Sequence, residues 1–437
     1  MRKVILLLLI LFSGSNLFSQ NGWVAFTIPS PGGGSYDFAD QNTGILTGQH
    51  KYYKTTNGGS LWSGYPVPDT SSTIVYGGVY LINSQTGWLT GGSTVSPIPY
   101  SFIQKTTNGG LNWGPMVSTY TIKDLLFINQ GIGFMASGDV PMFVTEGSLI
   151  KTSDGGNNWS LLLSDYFSYE KVSFINPDIG WVYCYFADDV GTFVNKILKT
   201  SNGGDNWSSV LIDSANGTFS PFKGMQFFDE NTGYIMKNTS FQNVLYKSTN
   251  GGSIWSAIDT NNFTGSYIWN FFFLNKDTGW VTTVGFTGKI FRTNNGGESW
   301  TTQNTTASNI NGRIYFIDAL TGWALASNTT ILKTTTGGVT DILNISSEIP
   351  TIFNLYQNFP NPFNPSTRIK FDIPKQGNVK LTVYDISGKE VNVLVNSELK
   401  AGSYEYNFDG SGLSSGVYFY KLQSGGFIKT ERMVLVK

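Results

Sequence analysis

Short apolar runs recur along this chain, and each closes in the same way. A Phe or Leu at Phe38, Leu81, Phe127, Phe174, Phe227, Phe273 and Phe316 is followed two residues on by Asp40, Asn83, Asn129, Asn176, Asp229, Asn275 or Asp318. Four residues later comes a glycine, Gly44, Gly87, Gly133, Gly180, Gly233, Gly279 or Gly322, usually followed by an aromatic. An apolar strand, a turn opened by an Asx side chain and a second strand account for these columns. Between them runs a second motif, Thr/Ser-x-Asn/Asp-Gly-Gly-x-x-Trp, at Thr55–Trp62, Thr106–Trp113, Thr152–Trp159, Thr200–Trp207, Ser248–Trp255 and Thr293–Trp300. The turn glycines lie 43 to 53 residues apart, the length of one four-stranded propeller blade. The predicted fold class is all-β: a seven-bladed β-propeller followed by a small Ig-like β-sandwich.

The seventh motif starts at Thr334-Thr335-Thr336-Gly337-Gly338 and then has Asp341 in place of Trp. Asn21-Gly22-Trp23-Val24-Ala25-Phe26 reads like the strand after each motif tryptophan, as in Asn206-Trp207-Ser208-Ser209-Val210. Trp23 is therefore expected to lead the outer strand of the last blade. That arrangement ties the ring shut and covers an open strand edge.

The ends carry other signals. Arg2-Lys3, the apolar run Val4–Phe12 and small or polar residues up to Ser19 read as a signal peptide over 1–19. No later run is long enough to span a bilayer, so no integral membrane segment is expected in the mature protein. The propeller is expected over 20–343, a Pro-containing linker over 344–354, and a small sandwich over 355–437. A net charge of −1 offers no bulk attraction for nucleic acid. Cys184 is the sole cysteine and reads as a buried strand residue. With His50 the sole histidine, no zinc cluster or Ser-His-Asp triad can be assembled, and no cofactor is expected.

Thr152-Ser153-Asp154-Gly155-Gly156-Asn157-Asn158-Trp159 is the fullest copy of the second motif, and it resembles the Asp-box of sialidase-type propellers. The repeat region as a whole is similar to the propellers of photosystem II assembly factors and their non-photosynthetic bacterial relatives. That resemblance rests on fold-maintaining residues and implies no ligand. The segment Leu355-Tyr356-Gln357-Asn358-Phe359-Pro360-Asn361-Pro362-Phe363-Asn364-Pro365-Ser366-Thr367 is different in kind. With Ser387-Gly388-Lys389, Gly416-Val417-Tyr418-Phe419-Tyr420 and Lys429–Lys437, it resembles the type A C-terminal sorting domain of the type IX secretion system. The resemblance implies the type IX machinery as a partner and delivery to the outer-membrane surface of a Gram-negative bacterium or beyond it.

Function is expected where the repeat breaks. Aligned on the turn glycines, Trp269 shares a column with Gly34, Gly77, Lys123, Glu170, Lys223 and Gly312. The adjacent column holds Ser35, Gly78, Asp124, Lys171, Gly224, Asn270 and Arg313. Both columns begin the first, innermost strand of a blade, so they should ring one mouth of the central channel. The candidate ligand-binding residues are Trp269, Glu170, Lys123, Lys171, Lys223 and Arg313, with an extracellular protein or glycan as partner. Aromatics at Tyr166, Phe167, Tyr169, Tyr183, Tyr185, Phe186, Phe263 and Tyr267 are expected in loops feeding that face. The basic residue before each box (Lys54, Lys105, Lys151, Lys199, Lys247, Arg292, Lys333) reads as solvated or at a strand edge.

Catalysis is not expected. Arg292 and Arg313 are the propeller's only arginines, too few for a sialidase carboxylate clamp. A glycoside hydrolase would need two carboxylates; Glu170 with Asp165, Asp188, Asp189, Asp139 or Glu146 are the candidates, and no spacing selects a pair. A structural surface role is the remaining alternative.

Overall fold

The computed structural model describes residues 22–437 apart from 30–34, 49–50, 67–73, 94–100, 120, 139–146, 188–191, 217–221, 239–242, 259–262, 264–265, 286–287, 304, 306, 308–309, 311, 328, 339–341, 347–348 and 411–412. The signal peptide, His50, Asp139, Glu146, Asp188 and Asp189 lie outside the described residues. Two compact units emerge, one of Ala25–Gly338 and one containing Val339–Lys437. No α-helix occurs among the described residues.

The first unit holds seven four-stranded antiparallel sheets, one per repeat. Tyr36–Phe38, Ile74–Leu81, Ile122–Phe127, Ser168–Phe174, Phe222–Phe227, Ser266–Phe273 and Ile314–Phe316 are the first strands of blades 1 to 7. The last blade takes its outer strand from Val24–Thr27, which lies beside Thr330–Thr334, and Ile28 N donates to Thr329 O at 2.9 Å. Trp23, directly before that strand, is fully buried. The expected closure is present.

Each box works as a local hydrogen-bonded unit. In blade 3, Thr152 Oγ1 accepts from Gly156 N at 2.8 Å and donates to Asp154 Oδ1 at 2.9 Å, while Asp154 Oδ1 accepts from Asn158 N at 2.9 Å. These donors hold the Asp154 carboxyl down at about 2. Gly155 and Gly156 sit at φ 74° and 90°, where a Cβ would be strained. In all seven blades the first box glycine donates to the Asx turn of the same blade, as from Gly155 N to Gly131 O at 2.7 Å. Boxes and turns therefore share one face of the ring. The recurrent Asx carboxylates and amides cap their turns, as Asp40 Oδ1 does for Thr43 N.

Aromatic stacking joins the blades. The aromatic after each turn glycine lies flat on the next blade's Phe: Trp88 on Phe127 at 3.4 Å, Phe134 on Phe174 at 3.6 Å, Trp181 on Phe227 at 3.9 Å, Tyr234 on Phe273 at 3.8 Å and Trp280 on Phe316 at 3.5 Å. Trp323 on Phe38, at 3.7 Å, makes the same joint across the closure. Between blades 1 and 2, where Ile45 and Leu81 stand in these positions, Tyr52 reaches across to the Gly110 carbonyl.

The basic column corrects an expectation. Lys151, Lys199, Lys247 and Lys333 are clasps rather than solvated edge residues. Lys151 Nζ donates to Gly203 O at 2.9 Å and Lys333 Nζ to Gln41 O at 2.8 Å, each on the next blade. Each also lies over its own blade's aromatic, as Lys333 does over Trp323 at 5.4 Å. A long stem that bridges two blades while its ammonium rests on a ring face combines packing with electrostatics.

The second unit has two four-stranded sheets around one core that includes Leu355, Ile369, Phe371, Leu381, Tyr404, Tyr420 and Leu435. One sheet runs Ile342–Ser346, Gly402–Asp409, Ser366–Ile373, Asn354–Leu355. Residues 344–346, expected in the linker, thus belong to a strand of this unit, because the partner edge at Ser403–Tyr406 is free to pair with them. The distinctive Leu355–Thr367 segment is laced into the sandwich: Asn358 N donates to Tyr420 Oη at 2.7 Å, and Asn358 Nδ2 to Thr367 Oγ1 at 2.9 Å.

Candidate binding site at the channel mouth

The first strands of successive blades face one another around a central channel. Its cavity of about 680 Å³ is lined from every blade, by Ser35, Gly78, Asp124, Lys171, Gly224, Asn270 and Arg313 among others. The register explains the rim. In blades 2 to 6 the first strand is broken by a β-bulge, and the extra residue is Gly77, Lys123, Glu170, Lys223 or Trp269. A bulge leaves its residue outside the ladder and re-aims its side chain. The column singled out in the sequence is the bulge column.

Of the six candidate residues, Lys123, Lys171, Lys223 and Arg313 line the cavity, whereas Glu170 and Trp269 do not line it but contact Lys123 and Lys223; all six are engaged across blade seams. Lys123 Nζ sits 3.5 Å from Glu170 Oε1, which also accepts from Ser168 Oγ at 2.7 Å. Lys171 Nζ lies 3.6 Å from Asp124 Oδ1, and Asp124 Oδ2 accepts from Val172 N at 3.1 Å. Lys223 Nζ stands over the Trp269 ring, 5.8 Å from its centroid. Arg313 Nη1 donates to Tyr36 O at 3.0 Å, and its guanidinium lies between the Tyr36 and Tyr315 rings. Trp269 is 46% exposed, and no other tryptophan among the described residues is classed as exposed.

Three features escaped sequence reasoning. In five blades the residue seven before the turn glycine laces the seam: Asp37 Oδ2 accepts from Leu81 N at 2.7 Å, Ser173 Oγ from Phe227 N at 2.9 Å, and Gln226 bonds both Phe273 O and Phe273 N. Second, Asp37 is buried, and desolvation lifts its carboxyl to about 6 although Arg313 pulls the other way. Third, the aromatic loops divide. Tyr166 and Tyr267 are exposed, but Tyr169, Tyr183, Tyr185 and Phe263 are buried in the blades, so they cannot serve as a platform. Their polar ends are satisfied internally, as where Tyr183 Oη donates to Asn195 Oδ1 at 2.8 Å. The Cys184 thiol is buried too, and burial pushes it up.

No group of His, Cys, Asp and Glu among the described residues could hold a metal ion. Of the carboxylates proposed for hydrolysis, Glu170 is taken by Lys123 and Ser168 Oγ. Asp165 Oδ1 accepts from Phe167 N at 2.9 Å and from Tyr169 Oη at 3.0 Å.

The distinctive carboxy-terminal segment decides the chain's route. Residues 357–437 match the secretion system C-terminal sorting domain. This sorting domain implies handling by the type IX secretion system and export to the cell surface or outside. No helix among the described residues is long and apolar enough to cross a membrane. No curated protein matches the chain. Among solved structures, the propeller is similar to YCF48 bound to D1 peptide (TM-score 0.52, 17% identity, 72% of this chain and 97% of that one). It is equally similar to YCF48 from Cyanidioschyzon merolae (TM-score 0.52, 18% identity, 71% and 98%). At these identities the likeness is one of fold.

Proposed function

We propose that this is a secreted or surface-held binding propeller that takes a glycan or protein ligand at its channel mouth and performs no catalysis. The sorting domain would deliver it to the outer surface of a Gram-negative cell. The observation that carries the reading is the bulge column. It sets the exposed Trp269 against Lys223, which lines the channel cavity, while Asp124 and Glu170 are each held by a lysine. A glycosidase needs one carboxyl poised as acid and another as base or nucleophile, and an ion pair with lysine favours the ionised form, which does not suit the acid.

The test uses the purified chain on a panel of oligosaccharides and cell-surface fractions, read for binding and for new reducing ends. Binding without cleavage, reduced at least tenfold by Trp269→Ala, is the expected result. New reducing ends that vanish in Glu170→Gln would replace the binding reading with a hydrolase.

A further inference from the structure

Among the described residues, the cations at the mouth are not all matched by carboxylates. Lys123 and Lys171 each face a carboxylate within 4 Å, whereas Lys223 and Arg313 rest on aromatic rings. These two stand on blades 5 and 7, flanking Trp269 on blade 6. Asp37, which is itself buried, acts electrostatically on Arg313. Across the ring, blades 1 and 2 present Ser35, Gly77, Gly78, Gly91 and Gly92. A Cβ at Gly77 would meet nothing within 4 Å. Among the described residues, the opening therefore has a cationic side, with Trp269 packed against its Lys223, and a side of small residues. Its volume of about 680 Å³ lies in the range of small-ligand sites, roughly 300–1,000 Å³.

Several main-chain groups on the inner strands are already used. Leu81 N, Val172 N, Phe227 N, Phe273 N and Ile314 N donate to side chains of the preceding blade, and Tyr36 O accepts from Arg313. A peptide that binds by adding a strand needs such groups free. That favours recognition through side chains, namely an aromatic surface and two cations.

Resting on the binding reading above, we propose that the mouth takes an acidic saccharide, the end of an oligosaccharide bearing carboxylate or sulfate groups. Trp269 supplies a face for the sugar's C–H surface, and Lys223 and Arg313 supply charge for its anionic group, the guanidinium offering planar paired donors. Blades 1 and 2 leave room for the ring.

Calorimetric titration of the full chain tests this with tetragalacturonate, its methyl ester, a sulfated tetrasaccharide and a tetraglutamate peptide. Tetragalacturonate or the sulfated sugar should bind, and which of them does identifies the anionic group. The methyl ester should bind at least tenfold more weakly, and tetraglutamate should not bind. Lys223→Gln and Gly77→Glu should each weaken binding tenfold or more. The glutamate of Gly77→Glu enters open space, so a lost site there is not a lost fold. Equal affinity for the methyl ester would overturn the charge requirement while leaving a glycan-binding propeller. Tetraglutamate binding in place of sugar would overturn the saccharide class but keep the binding reading, and binding unchanged in Gly77→Glu would overturn the location. Failure of all four probes to bind would overturn the inference. Sugar cleavage would overturn the underlying reading itself.

Discussion

Trp323 offers the sharpest test of how the ring is closed. Its side chain is fully buried, its ring stacks on Phe38 of blade 1 at 3.7 Å, and its Nε1 donates to Gly58 O at 3.0 Å. Removing it deletes a large apolar surface, leaves a cavity at the seam and strands a buried carbonyl. Buried Trp→Ala changes cost about 3–5 kcal/mol. At about 2 °C per kcal/mol for a unit of this size, Trp323→Ala should lower the propeller's melting temperature by about 6–10 °C. Trp323→Phe retains a stacked ring but not the indole donor, and should cost about 1–3 kcal/mol. Trp269→Ala is the control: its side chain is nearly half exposed, so its loss should cost no more than about 1.5 kcal/mol. The assay is thermal unfolding of the full chain followed by near-ultraviolet circular dichroism, where the stacked indoles report on the propeller. Equal shifts for Trp323→Ala and Trp269→Ala would refute the idea that this joint carries the closure.

Other consequences follow from the same contacts. Deleting Asn21–Pro29 removes the outer strand of the last blade and should lower the melting temperature more than Trp269→Ala does; a smaller effect would mean that blade 7 does not depend on it. Lys333→Met keeps the stem but loses the bond to Gln41 O and the charge over Trp323, at a cost of about 1 kcal/mol; an unchanged urea midpoint would return this column to the solvated class. Asp37 makes a pH prediction. Its folded carboxyl titrates near 6 against 3.8 in the unfolded chain, so between those values the folded state holds more protons and stability falls as pH rises. The stability of the wild type minus that of Asp37→Asn should therefore drop by up to about 3 kcal/mol from pH 4 to 6.5. A pH-independent difference would contradict the buried, desolvated carboxyl.

Much of this was legible in the sequence because glycines and tryptophans mark turns and joints that few other residues can make. The turn column at Gly44 to Gly322, the boxes and the closing strand after Trp23 all rest on such residues. The rim column was found by alignment, but its cause was not. A bulge at Lys123 or Trp269 has no residue signature, since any side chain can occupy it, and only the strand register reveals it. The lacing residues were invisible for a related reason: Asp37, Tyr80, Ser173, Gln226 and Tyr315 share a role but not a chemistry, each bonding the next blade's main chain with different atoms. The lysines before the boxes misled in the opposite way, because a charge in a polar, turn-rich stretch reads as solvated until the neighbouring blade's carbonyl is seen. Among the aromatics, Tyr166 and Tyr183 look alike in sequence, but Tyr166 is exposed in the bend between Ser160–Asp165 and Ser168–Phe174, whereas Tyr183 is buried within Gly180–Ala187.

The central claim is that ligand meets the protein at Trp269. Because no other described tryptophan is classed as exposed, its emission can be isolated as the fraction quenched by a neutral collisional quencher and lost in Trp269→Phe. Titrating tetragalacturonate while following that fraction, with reducing ends assayed in the same samples, tests the claim most directly. The account predicts that the ligand shields the quenchable fraction, that Trp269→Phe abolishes the signal, and that no new ends appear. Saturable binding that leaves Trp269 as accessible as before would contradict it.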